Sequence, residues 1–249
     1  MPRTIVLTRP SRIIGDAWAG RPVLHLPTLQ VTAHIDTSFE THLRAQWPRY
    51  DGVMLVSQYA AGFAFERLRD LNLSWPSGMW AAVVGQGSHD AVHRYLPHID
   101  CVKPMADDTQ DSEGLWHAVA PRIHAHSRVL IVRAQTGRNL FSQYLAGRGA
   151  TVDIWPCYQR QALVWSAAQQ ADFSAALIDG LVFVMASTEG LHALLANVPA
   201  AMRQLTLQQP VLTHHDSIAQ AAHALGFERV HVAAVSDHEQ VLTELTAAK

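Results

Sequence analysis

The chain has 249 residues, of which 49% are hydrophobic and 16% charged, a size and composition that suit one large globular domain or two modest ones. The formal net charge of −2 argues against a broad nucleic-acid surface, which needs clustered basic residues. No apolar run approaches the ~18 residues of a membrane-spanning helix, and the first residues show no signal-peptide pattern. We therefore expect a cytoplasmic protein that binds neither membrane nor nucleic acid.

Short apolar runs alternate with helical patterns along the chain, which is typical of parallel sheets with crossover helices. Most runs are unbroken, as expected for strands that are covered on both faces. The predicted strands are residues 5–8, 23–26, 52–56, 79–84, 98–102, 129–132, 152–155, 181–185, 211–212 and 230–232. The predicted helices are residues 38–47, 59–70, 88–96, 112–124, 138–148, 188–197, 217–225 and 237–247. The sequence therefore predicts an α/β fold.

Two segments of the first half return about half a chain later. The sequence DGVMLVS at residues 51–57 recurs as DGLVFVMAS at 179–187, and RTIVLTR at 3–9 recurs as RVLIVR at 128–133. This offset is far longer than the 20–50 residues of a solenoid repeat. The repetition predicts two similar α/β units facing each other across a cleft, which is a usual place for a ligand.

The cysteines and histidines give no strong metal signature. Cys101 and Cys157 stand in no CxxC spacing, so both are expected to be buried free thiols. Among 15 histidines, His89 and His93 have the i, i+4 spacing that can hold a metal on a helix. No HExxH glutamate follows and the sequence offers no evident third ligand. We therefore predict no metal.

Nucleotide and triad motifs are weak or absent. The glycines at 85 and 87 begin a GxGxxG-like pattern, but Asp90 stands where the third glycine belongs, and the sequence has no phosphate-binding P-loop. Ser88, His89 and Asp90 are neighbours on a predicted helix, so their side chains point in different directions and cannot form a triad. No cofactor is expected.

Small and polar residues follow the predicted strands in both halves. In parallel α/β sheets, ligands bind beyond the carboxyl ends of the strands, where helix N-termini offer free N–H groups and partial positive charge. The sets are Thr8-Arg9-Pro10, Ser57-Gln58, Gly85 to Ser88, Arg133 with Gly137-Arg138, Ser187-Thr188 and Thr213 to Ser217. Together they predict a broad anion receptor. The alternative for each single residue is a helix cap or a turn without a ligand.

The chain resembles the uroporphyrinogen-III synthase family along nearly its whole length. The matching pieces are VLTRP at 6–10, LP at 26–27, YD at 50–51, SQ at 57–58, VG at 84–85, DSEGL at 111–115, VLIVR at 129–133, GR at 137–138, LAGRGA at 145–150 and CYQR at 157–160. Each motif is short, but their order and spacing together are specific. The chain departs from the family at Ser88-His89, where a Thr-Ala pair is common, and at Met185-Ala186-Ser187, where Phe-Thr-Ser is commoner.

The resemblance implies two similar parallel-sheet, flavodoxin-like lobes joined by a two-stranded linker. One lobe comprises residues 1–30 with 163–249, and the other residues 35–157. Residues 27–36 and 156–166, which are polar and lie outside strong helical patterns, are the implied linkers. The lobes are expected to move about these linkers, and the protein is expected to be a monomer.

The resemblance also implies the reaction and its residues. Linear hydroxymethylbilane, an octacarboxylate of tetrapyrrole (heme) biosynthesis, is closed to uroporphyrinogen III with inversion of its last pyrrole ring through a spiro intermediate. Tyr158 is the implied acid that assists departure of the hydroxyl. No cofactor is required. The substrate-binding residues implied are Thr8, Arg9, Pro10, Pro27, Ser57, Gln58, Gly85, Ser88, Arg133, Arg138, Ser187 and Thr188. The alternative function is a non-catalytic two-lobed binding module for a polyanionic small molecule.

Overall fold

The structure is a computed structural model and describes residues 2–10, 21–105, 112–137 and 139–247. The chain divides into two compact units. The first unit comprises Met1–Val31 and Gln161–Lys249, and the second comprises Thr32–Arg160. The second unit is therefore continuous in sequence, whereas the first is assembled from both ends of the chain.

Strands and helices alternate along the described residues, which confirms the predicted α/β fold class. The strands are β1 Thr4–Leu7, β2 Val23–His25, β3 Leu29–Ala33, β4 Gly52–Leu55, β5 Trp80–Val83, β6 Cys101–Val102, β7 Arg128–Ala134, β8 Thr151–Ala162, β9 Leu181–Met185, β10 Val211–Thr213 and β11 Val230–Val232. The α-helices are α1 Thr37–Gln46, α2 Gln58–Asp70, α3 Gln86–Tyr95, α4 Ser112–Val119, α5 Leu140–Gly147, α6 Ala167–Asp179, α7 Thr188–Asn197, α8 Arg203–Leu207, α9 Asp216–Ala224 and α10 His238–Ala247.

The first unit contains a five-stranded parallel sheet in the order β11-β10-β9-β1-β2. Both of its faces are covered, because successive residues of a strand enter different clusters. Val6 joins the cluster that contains Phe173 of α6. Its neighbour Ile5 joins the cluster that contains Leu242 of α10. The unbroken apolar runs of the sequence are explained by this double cover.

A six-stranded sheet in the order β3-β8-β7-β4-β5-β6 belongs mostly to the second unit, with parallel pairing from β8 to β6. Met54 of β4 and Ile131 of β7 pack with Leu115 of α4 and Leu145 of α5. The chain passes from β4 to β5 and β6 on one side, and then to β7 and β8 on the other. The order of the strands thus reverses between β4 and β7, where open α/β sheets usually bind ligands.

The repeated segments of the sequence form the central strand pair of each sheet. In the first unit β1 pairs with β9, and Val6 lies opposite Phe183. In the second unit β4 pairs with β7, and Met54 lies opposite Ile131. Each central pair therefore joins one strand from the repeat at 3–9 and 128–133 to one strand from the repeat at 51–57 and 179–187.

The helix α6 was not predicted, although its start carries a recognisable signal. Ser166 accepts a hydrogen bond from the backbone N–H of Gln169, whose side chain accepts from the backbone N–H of Ser166. This reciprocal pair is a capping box. The helix buries Phe173 and Leu177, two large apolar residues i, i+4 apart, among alanines and polar residues. That stripe was too sparse to stand out in the sequence.

Several other element boundaries differ from the predicted ones. The strand β8 continues to Ala162, seven residues beyond the end of the strand predicted at 152–155. This extension and β3 lie in the two stretches of the implied two-stranded linker, residues 156–166 and 27–36. The helix α3 begins at Gln86 with Gly85 as its N-cap, rather than at Ser88. The helix α4 ends at Val119 instead of residue 124, and a 3-10 turn follows that contains Pro121. Proline lacks the N–H that an α-helix interior requires.

The two free cysteines are not equally buried. Cys157 is buried, as predicted, and its burial raises the pKa of the thiol to about 12. The prediction of burial is wrong for Cys101, which is partly exposed. Its strand β6 has two residues and pairs only with β5 among the described strands. An edge strand of this length leaves one side of its residues uncovered.

A buried tyrosine and an aspartate connect the start of β4 to β8. The Tyr50 hydroxyl donates to Asp153 Oδ2 at 2.6 Å, and His42 Nε2 lies 3.1 Å from the same oxygen. Burial raises the pKa of Tyr50, as does its hydrogen bond to Asp153. Burial also tends to raise the pKa of Asp153, but hydrogen bonds from Tyr50 and His42 outweigh it and hold that pKa below its usual value.

We expect Tyr50→Phe to lower the free energy of unfolding by about 1–2 kcal/mol at pH 7, because a charged acceptor loses its donor. The depressed pKa of Asp153 means that this stability is present above the unfolded pKa of about 3.9 and is lost as the pH falls through the lower folded pKa. Urea unfolding at several pH values measures the difference. Tyr95→Phe, which removes a hydroxyl from an exposed ring, is the control. A loss for Tyr50→Phe that stayed constant down to pH 2 would contradict the linkage.

Candidate active site

A cavity of about 290 Å³ lies in the second unit where the strand order reverses. Its wall combines apolar side chains of the core with polar residues from the ends of β4, β7 and β8. The apolar lining is Met54, Val56, Val84, Ile131, Ala134, Leu140 and Phe141, and the remaining lining is Ser57, Arg133, Thr136, Gly137, Ser142, Tyr158 and Arg160. Ser57, Arg133 and Tyr158 were predicted site residues, and the structure brings all three to this cavity.

Tyr158 is held firmly in the cavity wall. Its ring stacks on Phe63 with centroids 5.9 Å apart and an interplanar angle of 14°, and it contacts Tyr59 at 6.1 Å. Only 4% of the residue is exposed. The hydroxyl lies 3.0 Å from Ser57 Oγ. The aromatic contacts fix the direction of the ring, so the position of the phenolic hydroxyl is determined by packing.

The orientation of Tyr158 also depends on an irregularity in β8. Arg133 pairs with Pro156, but Ala134 pairs with Tyr158, so one residue of β8 is inserted at this point. Such a bulge changes the direction of the side chains that follow it. The bulge therefore determines which face of β8 the Tyr158 side chain lies on.

Ser57 has a structural role and a contact in the cavity. As the N-cap of α2, its Oγ accepts a hydrogen bond from the N–H of Ala60 at 3.1 Å. A hydroxyl that accepts once still has a proton to donate, and Tyr158 Oη lies within reach. Ser57 is therefore a helix cap through its hydrogen bond from Ala60, as the alternative without a ligand predicts. That alternative does not account for its contact with Tyr158.

Arg133 extends from β7 into the loop that leads to α5. Its Nη1 donates to Asn139 Oδ1 at 2.8 Å and to the Gly137 carbonyl at 3.3 Å. Asn139, the N-cap of α5, makes no capping hydrogen bond with its side chain in the described residues. The first residues of α5, Leu140 and Phe141, line the cavity. A guanidinium group and a helix N-terminus therefore lie at the same wall of the cavity.

Three other predicted residues of the second unit do not line the cavity, and one cannot be placed. Gln58 is the first residue of α2, and Gly85 is the N-cap of α3. Ser88 lies in the first turn of α3 and is buried. Arg138 lies outside the described residues.

The remaining predicted residues belong to the first unit, at the carboxyl ends of β1 and β9 or in the segment after β2. Thr8 is buried and donates to the Val184 carbonyl at 2.9 Å. Ser187 caps α7 by accepting from the Gly190 N–H at 3.0 Å, and Thr188 is the first residue of that helix.

The other three lie nearby in the sequence of the first unit. The carbonyl of Arg9 lies 3.1 Å from His25 Nε2, and Pro10 follows it. The carbonyl of Pro27 accepts from Trp165 Nε1 at 3.0 Å. The hydrogen bonds of Thr8, Ser187 and Pro27 stabilise the first unit, and substrate binding by these residues remains a prediction.

Comparison with known proteins decides the family. The sequence model of a family described as uroporphyrinogen-III synthase HemD matches residues 18–243. The chain belongs to the uroporphyrinogen-III synthase family. Two relatives in this family are similar over nearly their whole length: the uroporphyrinogen-III synthases of Salmonella typhimurium and Escherichia coli are each 27% identical, with 97% of this chain and 99% of the relative covered.

Solved structures of uroporphyrinogen-III synthases have the same fold. The Helicobacter pylori protein gives a TM-score of 0.62 at 13% identity, covering 98% of this chain and 99% of its own. A mutant of the Thermus thermophilus protein gives 0.58 at 15% identity, covering 97% and 99%. The described helices include none that is long and apolar enough to cross a bilayer.

Arg160 lines the cavity but was not among the predicted site residues. Residues two apart on a strand face the same side, so Arg160 follows Tyr158 on the side that meets the cavity. The uroporphyrinogen-III synthase motif CYQR at 157–160 contains this arginine two residues after Tyr158. Combining that motif with the strand period would have identified the arginine.

Proposed function

We propose that this chain cyclises hydroxymethylbilane to uroporphyrinogen III, with loss of water and inversion of the last pyrrole ring. The observation that carries the proposal is the Tyr158 hydroxyl, held 3.0 Å from Ser57 Oγ in a cavity that Arg133 and Arg160 also line. The match of residues 18–243 to the uroporphyrinogen-III synthase family supports it.

The phenol of Tyr158 acts as the acid for the first step. It donates its proton to the leaving hydroxyl of the substrate, which departs as water and leaves an azafulvenium cation whose pyrrole nitrogen keeps its proton. The Ser57 hydroxyl can then donate to the phenolate oxygen, which favours the charged form of Tyr158. The substituted α-carbon of the last pyrrole ring attacks the methylene of this cation and gives the spiro intermediate. The bond from that carbon to its original methylene bridge then breaks, which forms a second azafulvenium cation, and the free α-carbon of the last ring attacks this cation to close the macrocycle. The carbon that closes the macrocycle loses a proton as its pyrrole regains aromaticity, and this proton restores the phenol.

Arg133, Arg160 and the start of α5 bind substrate carboxylates. Guanidinium groups form strong charge-assisted bonds to carboxylates, and the amides at a helix N-terminus attract anions. At about 290 Å³ the cavity is at the low end of ligand sites, so it takes only part of an eight-carboxylate tetrapyrrole. We assign it the end that carries the hydroxymethyl group, because the acid is there. The protein contributes mainly by holding this end in the geometry that favours inversion.

The isomer of the product tests the proposal. Spontaneous closure of hydroxymethylbilane gives the type I macrocycle. We therefore expect the ratio of type III to type I product to rise with the amount of protein added. Chromatographic separation of the oxidised products measures the ratio. Product that remains type I at high protein concentration, together with tight binding of the bilane, would favour the non-catalytic polyanion-binding alternative.

Turnover is expected to survive chelation. The residues assigned above act by proton donation and by pairing with carboxylates, and none of these steps needs a metal. Exhaustive dialysis against EDTA should therefore change the rate of type III formation by less than about twofold. A rate that falls after chelation and returns with a single divalent cation would contradict this mechanism.

A further inference from the structure

Three metal-ligating side chains converge in the second unit, apart from the residues that line the cavity. His89 and His93 lie on α3, and Cys101 lies on β6. One ligand atom from each lies within 4.8 Å of the others. The sequence had shown the two histidines without a third partner, and the sheet topology supplies it.

The fold explains why these residues meet. Positions i and i+4 lie on the same face of a helix, which places the two histidine rings together. The rings stack with centroids 4.1 Å apart at an angle of 27°. The edge strand β6 pairs with β5 so that Cys101 lies opposite Ala81, and α3 follows β5 directly. The cysteine therefore lies on the strand next to the one that leads into the helix.

Both histidines are arranged as metal ligands would be. His93 Nδ1 lies 3.1 Å from the backbone carbonyl of His89 and can bond to it only as a donor. This contact fixes the tautomer and leaves the lone pair of Nε2 available, as in many zinc sites. His89 Nδ1 is buried and makes no hydrogen bond among the described residues; the Asp90 carboxylate oxygen lies 3.6 Å from it, beyond hydrogen-bond distance. A buried polar atom without a partner is unusual in a folded protein.

We propose that His89, His93 and Cys101 form a Zn²⁺ site. Two imidazoles and one thiolate are the borderline-soft donors that zinc selects, whereas Mg²⁺ and Ca²⁺ require oxygen ligands. Three protein ligands leave the fourth tetrahedral position for water. Burial, and then the neighbouring Asp100 carboxylate, raise the pKa of the Cys101 thiol to about 11. The ion displaces the thiol proton when it binds.

The site would stabilise the second unit rather than take part in turnover. It ties the two-residue edge strand β6 to α3, and its ligands are not among the cavity-lining residues. Zinc at 100 times its dissociation constant should therefore raise the thermal midpoint of the protein by about 5–10 °C while the rate of turnover stays the same.

Cobalt and zinc titrations of the full chain test the site. Co²⁺ should bind one ion per chain with the intense visible bands of tetrahedral cobalt and a thiolate-to-cobalt charge-transfer band, and Zn²⁺ should displace it. We expect Cys101→Ser to abolish the charge-transfer band and weaken zinc binding by more than tenfold, since even outer-shell changes cost 10–100-fold. His93→Gln should weaken binding similarly while leaving the thiolate in place.

His98→Gln is the matched control, because His98 is exposed in the segment between α3 and β6. It should keep both bands and the wild-type affinity. Circular dichroism shows whether each variant folds. If Cys101→Ser or His93→Gln fails to fold, the metal affinity of the other variant tests the site. A cobalt complex without a charge-transfer band, or zinc affinity unchanged in both Cys101→Ser and His93→Gln, would overturn the assignment.

Discussion

Replacing Tyr158 with phenylalanine is expected to lower kcat for type III formation by about 10- to 100-fold and to change KM much less. A hydroxyl that protonates a leaving group acts mainly in the transition state, and acid–base assistance commonly contributes at least this much. The ring should remain in place, because it packs against the rings of Phe63 and Tyr59. Initial rates over a range of hydroxymethylbilane concentrations separate the two constants.

Two variants control for indirect effects. Tyr144→Phe removes a phenol from the same unit, where Tyr144 stacks on Trp116 and does not line the cavity, and it should leave kcat unchanged. Ser57→Ala keeps the acid but removes its neighbour, so we expect a smaller loss than for Tyr158→Phe. A wild-type kcat in the Tyr158→Phe enzyme would show that the Tyr158 phenol is not the acid of the first step.

Replacing Arg67 with alanine is expected to lower the free energy of unfolding by about 2–4 kcal/mol. Its Nε and Nη2 donate to the two carboxylate oxygens of Glu40, each at 2.6 Å, and join α2 to α1. Glu40 is only 6% exposed, so the variant leaves a buried carboxylate without its cation. Because Arg67 itself is partly exposed, water can reach the gap and the loss should stay below the largest values for buried pairs.

Arg69→Ala, two positions along the same helix, provides the comparison. The Arg69 side chain is 77% exposed and its guanidinium lies 3.8 Å from Asp70, a geometry that contributes little to stability. Urea unfolding measures both variants, and we expect the loss for Arg69→Ala to stay below about 0.5 kcal/mol. Equal losses in the two variants would show that the bidentate bond to Glu40 stabilises the protein no more than the exposed contact of Arg69 with Asp70.

The fold could largely be predicted from the sequence, because strands that are buried on both faces appear as unbroken apolar runs. The unbroken run of β9 predicted its bounds to the residue. The helix α6 has only Phe173 and Leu177 as large buried residues, so its tertiary environment, rather than a strong apolar pattern, determines it. The length of β8 could not be predicted from its sequence either, because it depends on pairing with β7, which only the folded sheet shows.

The candidate site could be predicted only residue by residue. Sequence motifs identified Ser57 and Tyr158 separately, but they are 101 positions apart and no pattern indicates that their hydroxyls meet. That contact depends on the inserted residue of β8, which is visible only once the strands are paired. The same limit applies to Cys101, whose approach to the histidines of α3 is a property of the sheet order.

The pairing of β1 with β9 has a consequence for the order in which the protein is made. Thr8 and its partner Val184 are 176 positions apart, whereas the second unit is complete at Arg160. At 5–20 residues per second, a ribosome needs about 10–35 s to synthesise the chain between them. The apolar strand β1 can therefore pair early only with β2, and it lacks β9, its other neighbour, while the second unit finishes folding. We expect the first unit to form last during translation, and β1 to be the segment most exposed to aggregation or chaperone capture until β9 emerges.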